Sequence, residues 1–436
     1  MIKLKTGISR RTLITGMASG TIMSVANALN ARTPSGFPRP PADISDSSLS
    51  KDEDYWNNIA SYYDSTAGII NLEHGYWGKM ARTVQEFYLS ATKMVNTQNS
   101  YYARKDYTED HKSCVRRVAN ALGAEEDEIV LTRNATEAIH NLIRQYRGLD
   151  DGDTVLYADI DYPSFKTTMS WLKSARNVNA VQIELPVQAD QSELLKKYIS
   201  AFDANPKLKL ILLTHVSNQH GMIVPVKAIT AEARARGIDV ICDSAQSWGL
   251  IDFKIKDIDV DWAGFNLHKW IGAPLGVGAL YMRRGSLHKI APYPGEDDPE
   301  NKDASARVHT ATSNFAAILS IPAALDFHEN IGASVKEARL NYLRSLWTTE
   351  ADKMSNIEVL GGTDESSRTG MASFRKVDKN SVKDAQLLQQ TLENKFGIFT
   401  VVRKGLASGG CVRVTPQIFN TPAQIEKFVS ALKTLN

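Results

Sequence analysis

Short apolar runs alternate with helical patterns from about residue 125 to residue 285 of this 436-residue chain. Seven runs have the length and the flanking turn residues of strands: DEIVLTR, DTVLYADI, NAVQIEL, LKLILLTHV, IDVICDSA, DWAGFNLH and VGALYMRR. Stretches with apolar residues at helical spacing lie between the first five runs: NATEAIHNLIRQY, YPSFKTTMSWLKSAR, QSELLKKYISAF and VKAITAEARARG. This alternation predicts an α/β fold in which helices cover both faces of a largely parallel sheet.

The pattern changes after Leu319, where long helical stretches replace the regular alternation. IPAALDFHENI and VKEARLNYLRSLWTTEADKM are followed by a strand pattern in MASFRKV, a helix in VKDAQLLQQTLENKFG, a strand in CVRVTP and a final helix. We therefore expect a large domain over residues 81–320 and a smaller α+β domain over residues 321–436. Residues 51–80 are expected to join the small domain.

The first 28 residues have the composition of an export signal. Arg10 and Arg11 precede an apolar stretch softened by Gly, Ser and Thr, and the sequence ANA supplies an A-x-A cleavage site. The paired arginines match signals for the twin-arginine export machinery, although Leu13 and Thr15 depart from the usual Phe and Lys. We therefore expect a signal peptide over residues 1–28 and a periplasmic mature protein. The alternative is a basic, disordered tail.

A Pro- and Ser-rich stretch, RTPSGFPRPPADISDSSLS, follows the signal. It predicts a disordered linker over residues 29–50, so the folded chain is expected to begin near Lys51. The apolar stretch before it is short and interrupted by polar residues, which makes it a poor membrane span. No stable membrane association is therefore expected.

The charge and cysteine content narrow the classes of partner. The formal net charge is +2, and residues 29–436 carry −2 because residues 1–28 hold four basic and no acidic side chains. A basic nucleic-acid-binding face is therefore not expected. Cys114, Cys242 and Cys411 lack the paired spacing of a zinc cluster or a disulfide framework, and no metal site is predicted.

One lysine, Lys269, lies inside the otherwise apolar and Gly-rich stretch FNLHKWIGAPLGVGAL. A loop lysine in such a stretch can extend its ammonium group to solvent while its methylenes stay buried. The alternative is an amine in a partly dry pocket, with a lowered pKa that lets it form a Schiff base.

Three further groups follow the ends of predicted strands, where open parallel sheets bind ligands. Asp243 ends IDVICD, and taken alone it fits a helix N-cap better than a ligand site, because Asp is common at N-caps. Asn134, Ala135 and Thr136 open a helix whose free N–H groups suit a phosphate, although simple capping explains them as well. Tyr162 can lie on a flat heteroaromatic ligand or be an ordinary core or surface tyrosine.

Together these groups are the parts needed to hold pyridoxal 5′-phosphate. The phosphate binds at a helix N-terminus, a carboxylate pairs with the pyridinium nitrogen, and a lysine forms an imine with the aldehyde. Asp243 would keep the ring nitrogen protonated, because an opposite charge favours the charged form. The pair of Asp243 and Lys269 argues against a non-catalytic binder, which has no need of a reactive amine.

The chain resembles the class V, fold-type I pyridoxal-phosphate enzymes, which include cysteine desulfurases and isopenicillin-N epimerase-like proteins. The resemblance covers nearly all of residues 68–436 and is carried by these segments: NLEHGYWG, TRNATEAI, THVSNQHG, CDSAQSWG, NLHKWIGAPLGVGAL, TATSNFAAILSIPAAL and RVTPQIFNT. The first and the sixth look closest to the epimerase-like branch. The resemblance implies a large domain with a mainly parallel seven-stranded sheet, a smaller α+β domain and a homodimer.

The resemblance also implies roles around the cofactor ring. Lys269 takes the position of the Schiff-base lysine and Asp243 that of the pyridinium partner. Gln246, helped by Asn218, is expected near the phenolic oxygen. Tyr162 is expected to stack on the ring.

For the phosphate, the resemblance implies the helix start at Asn134, with Ala135, Thr136 and His268 as ligands. Thr312 falls where the family supplies a phosphate ligand from the second subunit of a dimer.

At the edge of the site, Ala311 replaces the Gly that usually precedes the residue supplied across the dimer. Tyr102 or Arg104 is a further candidate to cross the interface. Arg413 falls where an arginine forks onto the substrate carboxylate, the alternative being an exposed strand residue. Tyr76, in the segment HGYWG, is expected to border a wide substrate entrance, or else to pack in the core or a dimer interface.

The expected activity is that of an exported pyridoxal-phosphate enzyme acting on an amino acid or on the aminoacyl side chain of a peptide. The chain also resembles members of the epimerase-like branch that mature the siderophore pyoverdine, which implies a peptide substrate. An aminotransferase, epimerase or lyase acting on a free amino acid is the alternative, because the fold alone does not choose the reaction. A cysteine desulfurase is disfavoured, since Cys411 lies within a predicted strand rather than in a mobile loop.

Overall fold

The computed structural model describes residues 39–298 and 300–435. The signal peptide expected over residues 1–28, and the expected linker up to residue 38, lie outside the described residues. No helix within the described ranges is long and apolar enough to cross a membrane.

The described residues form strands that we number in chain order. They are β1 Ile70–Asn71, β2 Ile129–Thr132, β3 Thr154–Ala158, β4 Asn179–Ile183, β5 Gln188–Ala189, β6 Leu208–Thr214, β7 Asp239–Ser244, β8 Trp262–Asn266, β9 Gly278–Met282, β10 Ile357–Gly362, β11 Ala372–Lys376, β12 Ile398–Phe399, β13 Val401–Arg403 and β14 Cys411–Val414.

The helices are numbered in the same way over the described part of the chain. They are α1 Asp46–Leu49, α2 Glu53–Ala60, α3 Arg82–Lys105, α4 Tyr107–Leu122, α5 Ala135–Gln145, α6 Pro163–Arg176, α7 Gln191–Asp203, α8 Val226–Ala235, α9 Ile255–Ile258, α10 Phe315–Leu319, α11 Ile321–Ile331, α12 Ala333–Ala351, α13 Val382–Phe396 and α14 Pro422–Lys433.

The large sheet has seven strands in the order β2-β9-β8-β7-β6-β3-β4. Strand β9 is antiparallel to both of its neighbours, and the other adjacent pairs are parallel. In β6, Leu210 and Leu212 pack into one hydrophobic cluster and Ile211 and Leu213 into another. Both faces of the sheet are therefore covered, as parallel strands require. The predicted α/β fold is confirmed.

The small domain is built on a five-stranded sheet in the order β13-β14-β11-β10-β5. Its core contains Leu343, Trp347, Phe374 and Phe428. Strand β1 pairs in parallel with β12, and Glu73 bridges to Thr415. Residues 70–73 thus join the small domain through a separate two-stranded sheet, whereas Trp56 and Ile59 pack in the cluster of the large domain.

The folded chain begins earlier than the sequence indicated. The disordered linker predicted up to residue 50 is wrong at its end, because α1 lies within it and Leu49 is fully buried. The indole N–H of Trp56 donates to the Leu49 carbonyl at 2.7 Å, and Nη1 of Arg339 donates to the Ser50 carbonyl at 2.9 Å. These long-range contacts stabilise a segment whose composition alone suggests a linker.

The boundary between the domains also differs from the expected residue 321. In α11, Leu325 and Phe327 pack into the cluster of the large domain. In α12, Leu340 belongs to that cluster, whereas Leu343 and Trp347 belong to the small-domain core. The change of domain therefore falls within α12, a continuous helix whose two ends pack in different cores.

Candidate active site

Lys269 lies in the turn between β8 and β9, at the carboxyl edge of the large sheet, and its side chain is partly buried. Burial lowers the pKa of Lys269 to about 7, with the Asp243 carboxylate opposing and the charges of Arg413 and Arg403 adding to the shift. A large share of the amine is therefore neutral near pH 7, which makes it a nucleophile and a base. A solvated loop lysine would not have this property.

The segment HGYWG holds the backbone of Lys269 in place. The Gly78 N–H donates to the His268 carbonyl at 2.8 Å. A Cβ atom on Gly78 would lie 1.8 Å from the Lys269 carbonyl oxygen, so no other residue fits without a shift. The close approach of the two backbones therefore explains the glycine at position 78.

Asp243 lies next to the end of β7 and is 4% exposed. Burial raises its pKa to about 6, against the effect of the Ala245 N–H, which donates to Oδ1 at 2.9 Å, and of Lys269. The next helix along the chain begins only at Ile255. Asp243 is therefore not a helix cap, and its carboxylate suits a cationic ring nitrogen.

The start of α5 offers fewer free N–H groups than expected. Asn134 caps the helix, since its Oδ1 accepts from the Glu137 N–H at 2.8 Å. The Ala135 N–H donates to Oδ1 of Asn266 at 2.8 Å, so the predicted use of this N–H for a phosphate is wrong in this arrangement. Thr136 keeps its place at the first turn, where its hydroxyl and the helix dipole favour an anion.

His268, a further expected phosphate ligand, has one ring nitrogen already bonded within the chain. Its Nδ1 lies 2.9 Å from the Val277 carbonyl oxygen, and burial lowers the pKa of the ring to about 4. The neutral ring therefore donates from Nδ1 and has only an acceptor at Nε2. Donation to a phosphate requires a second ring proton, which a nearby dianion favours.

Tyr162 and Asn218, both expected around the cofactor ring, have groups that are free to contact a ligand. Tyr162 precedes α6, is 41% exposed and meets Phe165 edge to face at 5.2 Å. Its ring face is available to a ligand, and the alternative of a core tyrosine is excluded. Oδ1 of Asn218 accepts from Nε2 of Gln219 at 3.0 Å, which leaves the Asn218 amide N–H groups for a ligand.

Gln246 has both ends of its amide bonded within the chain. Nε2 donates to the Gly75 carbonyl at 2.9 Å, and Oε1 accepts from Nε1 of Trp270 at 2.9 Å. Gln246 therefore joins the HGYWG segment to the turn of Lys269. One amide hydrogen is left to serve the phenolic oxygen that the resemblance assigned to it.

Arg413, in β14, is fully buried, so the alternative of an exposed strand residue is wrong. Its Nη2 contacts both carboxylate oxygens of Glu73, at 2.6 and 2.9 Å, and its Nη1 donates to the Asn218 carbonyl at 2.8 Å. A Cβ atom on Gly75 would lie 2.5 Å from Nη2. The guanidinium group expected to hold a substrate carboxylate is thus already paired with a carboxylate of its own chain.

Sequence reasoning missed two charged residues here. Burial raises the pKa of Glu73, but Arg413 and Arg403 outweigh it and the net pKa is lowered, so Glu73 is a carboxylate. Arg403 ends β13, with Nη2 3.7 Å from Oε1 of Glu73. The acidic residue within the quoted segment NLEHGYWG was the available signal, whereas nothing local marks Arg403.

Of the residues expected at the edge of the site, Arg413 and Tyr102 are buried and the others lie on the surface. Thr312 is exposed, and Ala311 before it has φ 53°, the left-handed conformation that favours glycine. Tyr76 is 68% exposed, which excludes core packing. Tyr102 is buried and its hydroxyl donates to Asp110 at 2.7 Å, so the prediction that it crosses to a partner is wrong. Arg104 is exposed.

This set of groups fits pyridoxal phosphate. A lysine with a lowered pKa stands beside a buried carboxylate, a free aromatic face borders them, and a helix start with a threonine hydroxyl lies at the same sheet edge. No group of three or more His, Cys, Asp or Glu side chains in the described ranges is placed to hold a metal ion.

The sequence profile of the Aminotransferase class-V family matches residues 79–428, and the chain belongs to that family. It is 23% identical to the isopenicillin N epimerase of Amycolatopsis lactamdurans, over 87% of this chain and 98% of that protein. It is 26% identical to a cysteine desulfurase of Haloferax volcanii, over 84% of each chain.

Solved structures show the same fold. The complex of the cystine C-S lyase C-DES with cysteine persulfide is similar with a TM-score of 0.73 at 19% identity, covering 84% of this chain and 98% of that one. The apo cysteine desulfurase of Thermococcus onnurineus gives 0.72 at 20% identity, covering 87% and 97%. The chain is therefore a pyridoxal-phosphate-dependent enzyme with the fold-type I architecture, as predicted from the sequence.

Proposed function

We propose that the chain is an exported enzyme that acts on an amino acid or on the aminoacyl side chain of a peptide, in the maturation of the siderophore pyoverdine. The observations that support the proposal are the reactive pair of Lys269 and Asp243 and the exposed aromatic rings of the segment HGYWG, whose Gly78 N–H bonds to the turn of Lys269. Tyr76 and Trp77 are 68% and 47% exposed and meet edge to face at 5.2 Å. Exposed rings of this kind suit a substrate larger than a free amino acid.

The chain's own residues divide the chemical work. Bound pyridoxal phosphate supplies an electron sink for the amino-bearing carbon of the substrate. Nζ of Lys269 would hold the cofactor through its aldehyde and, once released, would move a proton at that carbon, because its pKa is lowered to about 7. The Asp243 carboxylate holds positive charge on the ring nitrogen. Thr136 and the start of α5 orient the phosphate.

Desulfuration by a persulfide-forming cysteine is disfavoured by the cysteines themselves. The chain has three, Cys114, Cys242 and Cys411, and all are buried. Burial raises the pKa of Cys411 to about 11 and those of the other two to about 12. Thiols of this kind are poor nucleophiles.

A second candidate is transamination or epimerisation of a free amino acid. Arg403 favours it, since its charge contributes to the field at Lys269, its contact with Glu73 is long, and a guanidinium group suits an α-carboxylate.

The two candidates are separated by the absorbance of the bound cofactor and by product analysis with a panel of free amino acids and siderophore precursor peptides. The proposal predicts a spectral change and product with a precursor peptide. Turnover of free amino acids alone would favour the second candidate.

We further propose a homodimer in which Thr312 completes the site of the partner subunit. The exposure of Thr312, and the glycine-like backbone retained at Ala311, support this role. Light scattering on the active protein tests it, and an active monomer would contradict it.

A further inference from the structure

Three charged side chains meet beside Lys269 and come from distant parts of the chain. Glu73 follows β1, whereas Arg403 and Arg413 belong to β13 and β14 of the small-domain sheet. All three affect the pKa of Lys269, the two arginines lowering it and Glu73 raising it. A charge placed on this cluster is therefore felt at the reactive amine.

Both terminal nitrogens of Arg413 are already engaged within the chain. Its side chain is 0% exposed, and Glu73 and the Asn218 carbonyl engage its two terminal nitrogens. Glu73 is itself held by Thr415, whose hydroxyl lies 3.3 Å from Oε2. A substrate carboxylate would have to displace a buried ion pair to reach these terminal nitrogens, which is unfavourable because the Glu73 charge would be left buried and unpaired.

Arg403 is placed differently. Its side chain is 23% exposed, and its Nη2 makes only a long contact of 3.7 Å to Glu73. Nε is buried without a hydrogen-bond partner among the described residues in both arginines, so the pairing of the terminal nitrogens is what separates Arg403 from Arg413. Arg403, Arg413 and Glu73 together carry a net charge of +1. A partly buried charge of this kind favours a counter-ion.

We propose that Glu73 occupies Arg413 in place of a ligand carboxylate and thereby assigns the substrate carboxylate to Arg403. Arg403 is then a substrate-binding residue, and Glu73 determines specificity by limiting this position to one carboxylate. The inference rests on the proposed function in one respect, that the substrate presents a carboxylate near its reacting amine.

Acetate is a suitable probe, because it carries the carboxylate and nothing else. Its dissociation constant is measured on the cofactor-loaded protein from the rise of the melting temperature with acetate, with chloride at the same ionic strength as reference. The variants are Arg403→Gln, Glu73→Gln and the two combined.

The expected results follow from the net charge of the cluster. Arg403→Gln brings the charge to zero and weakens acetate binding at least tenfold. Glu73→Gln releases Arg413 and tightens acetate binding about tenfold, as expected for one added charge contact. The combined variant returns the net charge to +1 through Arg413 and restores binding to within about threefold of the unmodified protein.

A matched control is Arg375→Gln, which breaks the ion pair of Arg375 and Glu358 in the same small-domain sheet, at 2.6 Å, outside the cluster. It should leave acetate binding unchanged. Unaltered acetate binding in Arg403→Gln would overturn the proposal, and so would a combined variant that binds as weakly as Arg403→Gln, or the absence of acetate binding in the unmodified protein. If Glu73→Gln does not fold, the comparison of Arg403→Gln with Arg375→Gln decides.

The acetate results do not depend on turnover. An enzyme that ignores every precursor peptide but shows the expected acetate series contradicts the proposed function alone. With an active substrate, Arg403→Gln should raise KM at least tenfold and change kcat less, whereas general damage to the fold would lower kcat as well.

Discussion

Burial shifts the pKa values of Lys269 and Asp243 in opposite directions. It lowers the pKa of Lys269 to about 7 and raises the pKa of Asp243 to about 6, so both groups are drawn toward their neutral forms. Natural proteins rarely bury unpaired charges for stability alone. Lys269 and Asp243 lie at the carboxyl edge of a parallel sheet, in a family that uses pyridoxal phosphate. Their burial therefore indicates a catalytic role.

Asp243→Ala should bind the cofactor weakly and lose nearly all turnover, because the ring nitrogen is no longer held protonated. The folded protein without cofactor should be no less stable, since the change removes a buried carboxylate whose described bond is to the Ala245 N–H. Cofactor titration, turnover and thermal melting of the variant give the three readouts. Near-normal turnover would show that Asp243 has a structural role instead.

The pH dependence of cofactor capture follows from the lowered pKa of Lys269. The neutral amine is the reactive form, so the rate at which cofactor-free protein takes up pyridoxal phosphate should rise about tenfold from pH 6 to pH 8 and level off above. The rate is followed by the absorbance of the linked cofactor. A rate that keeps rising tenfold per pH unit through pH 9 would indicate an ordinary lysine with a pKa near 10.5.

At the residue scale, the sequence identified the groups that have a local signature. Lys269 stands out among apolar neighbours, and Asp243 ends an apolar run. The bonds of Glu73 with Arg413 and of Asn266 with Ala135 join residues 340 and 131 positions apart. No local pattern contains such pairings, which is why Arg413 was assigned a free guanidinium group.

At the element scale, the loop before α10 has a backbone conformation at one residue that its sequence does not favour. Ala311 has φ 53°, where an L side chain is strained. Ala311→Gly should therefore raise the free energy of unfolding by about 1 kcal/mol, measured by denaturant titration.

Ala231→Gly serves as the matched control, since Ala231 is exposed within α8 and has a helical backbone. That change should lower the free energy of unfolding by about 0.5–1 kcal/mol. A loss of stability of similar size in Ala311→Gly would contradict the strain at residue 311.

Elements with strong periodicity were predictable, and short ones were not. Strands β6 and β7 and helix α5 follow directly from apolar runs and helical spacing. The four-residue helix α1 depends on the N-cap of Ser45 and on contacts with residues 289 positions away, so its composition suggested a linker. Helix α12 is one unbroken pattern, and a pattern does not show which core each end joins.

At the scale of the whole molecule, the expected export signal bears on where the cofactor is bound. The cofactor link needs a folded pocket, because Lys269 and Asp243 meet only through sheet pairing between β7 and β8. An enzyme exported folded carries its cofactor with it, which fits a twin-arginine signal. The export route is therefore part of the proposed function.

Changing Arg10 and Arg11 together to Lys should leave the protein in the cytoplasm, uncleaved and still carrying its cofactor. The unmodified mature protein should be recovered from the periplasm with an N-terminus near Leu29 or Arg32. Cell fractionation and N-terminal sequencing make the comparison. Export and cleavage of the double variant would contradict the twin-arginine route and the periplasmic location.

The central claim, that Lys269 is the amine that holds the cofactor, is tested most directly by borohydride reduction of the yellow protein followed by peptide mapping. The account predicts one modified peptide with pyridoxyl phosphate on Lys269, and no modification in Lys269→Ala. Lys336 provides the internal comparison, since burial also lowers its pKa to about 7 while its Nζ is bonded to the Trp270 carbonyl at 2.8 Å. Pyridoxyl phosphate on Lys336, or on any lysine other than Lys269, would contradict the account.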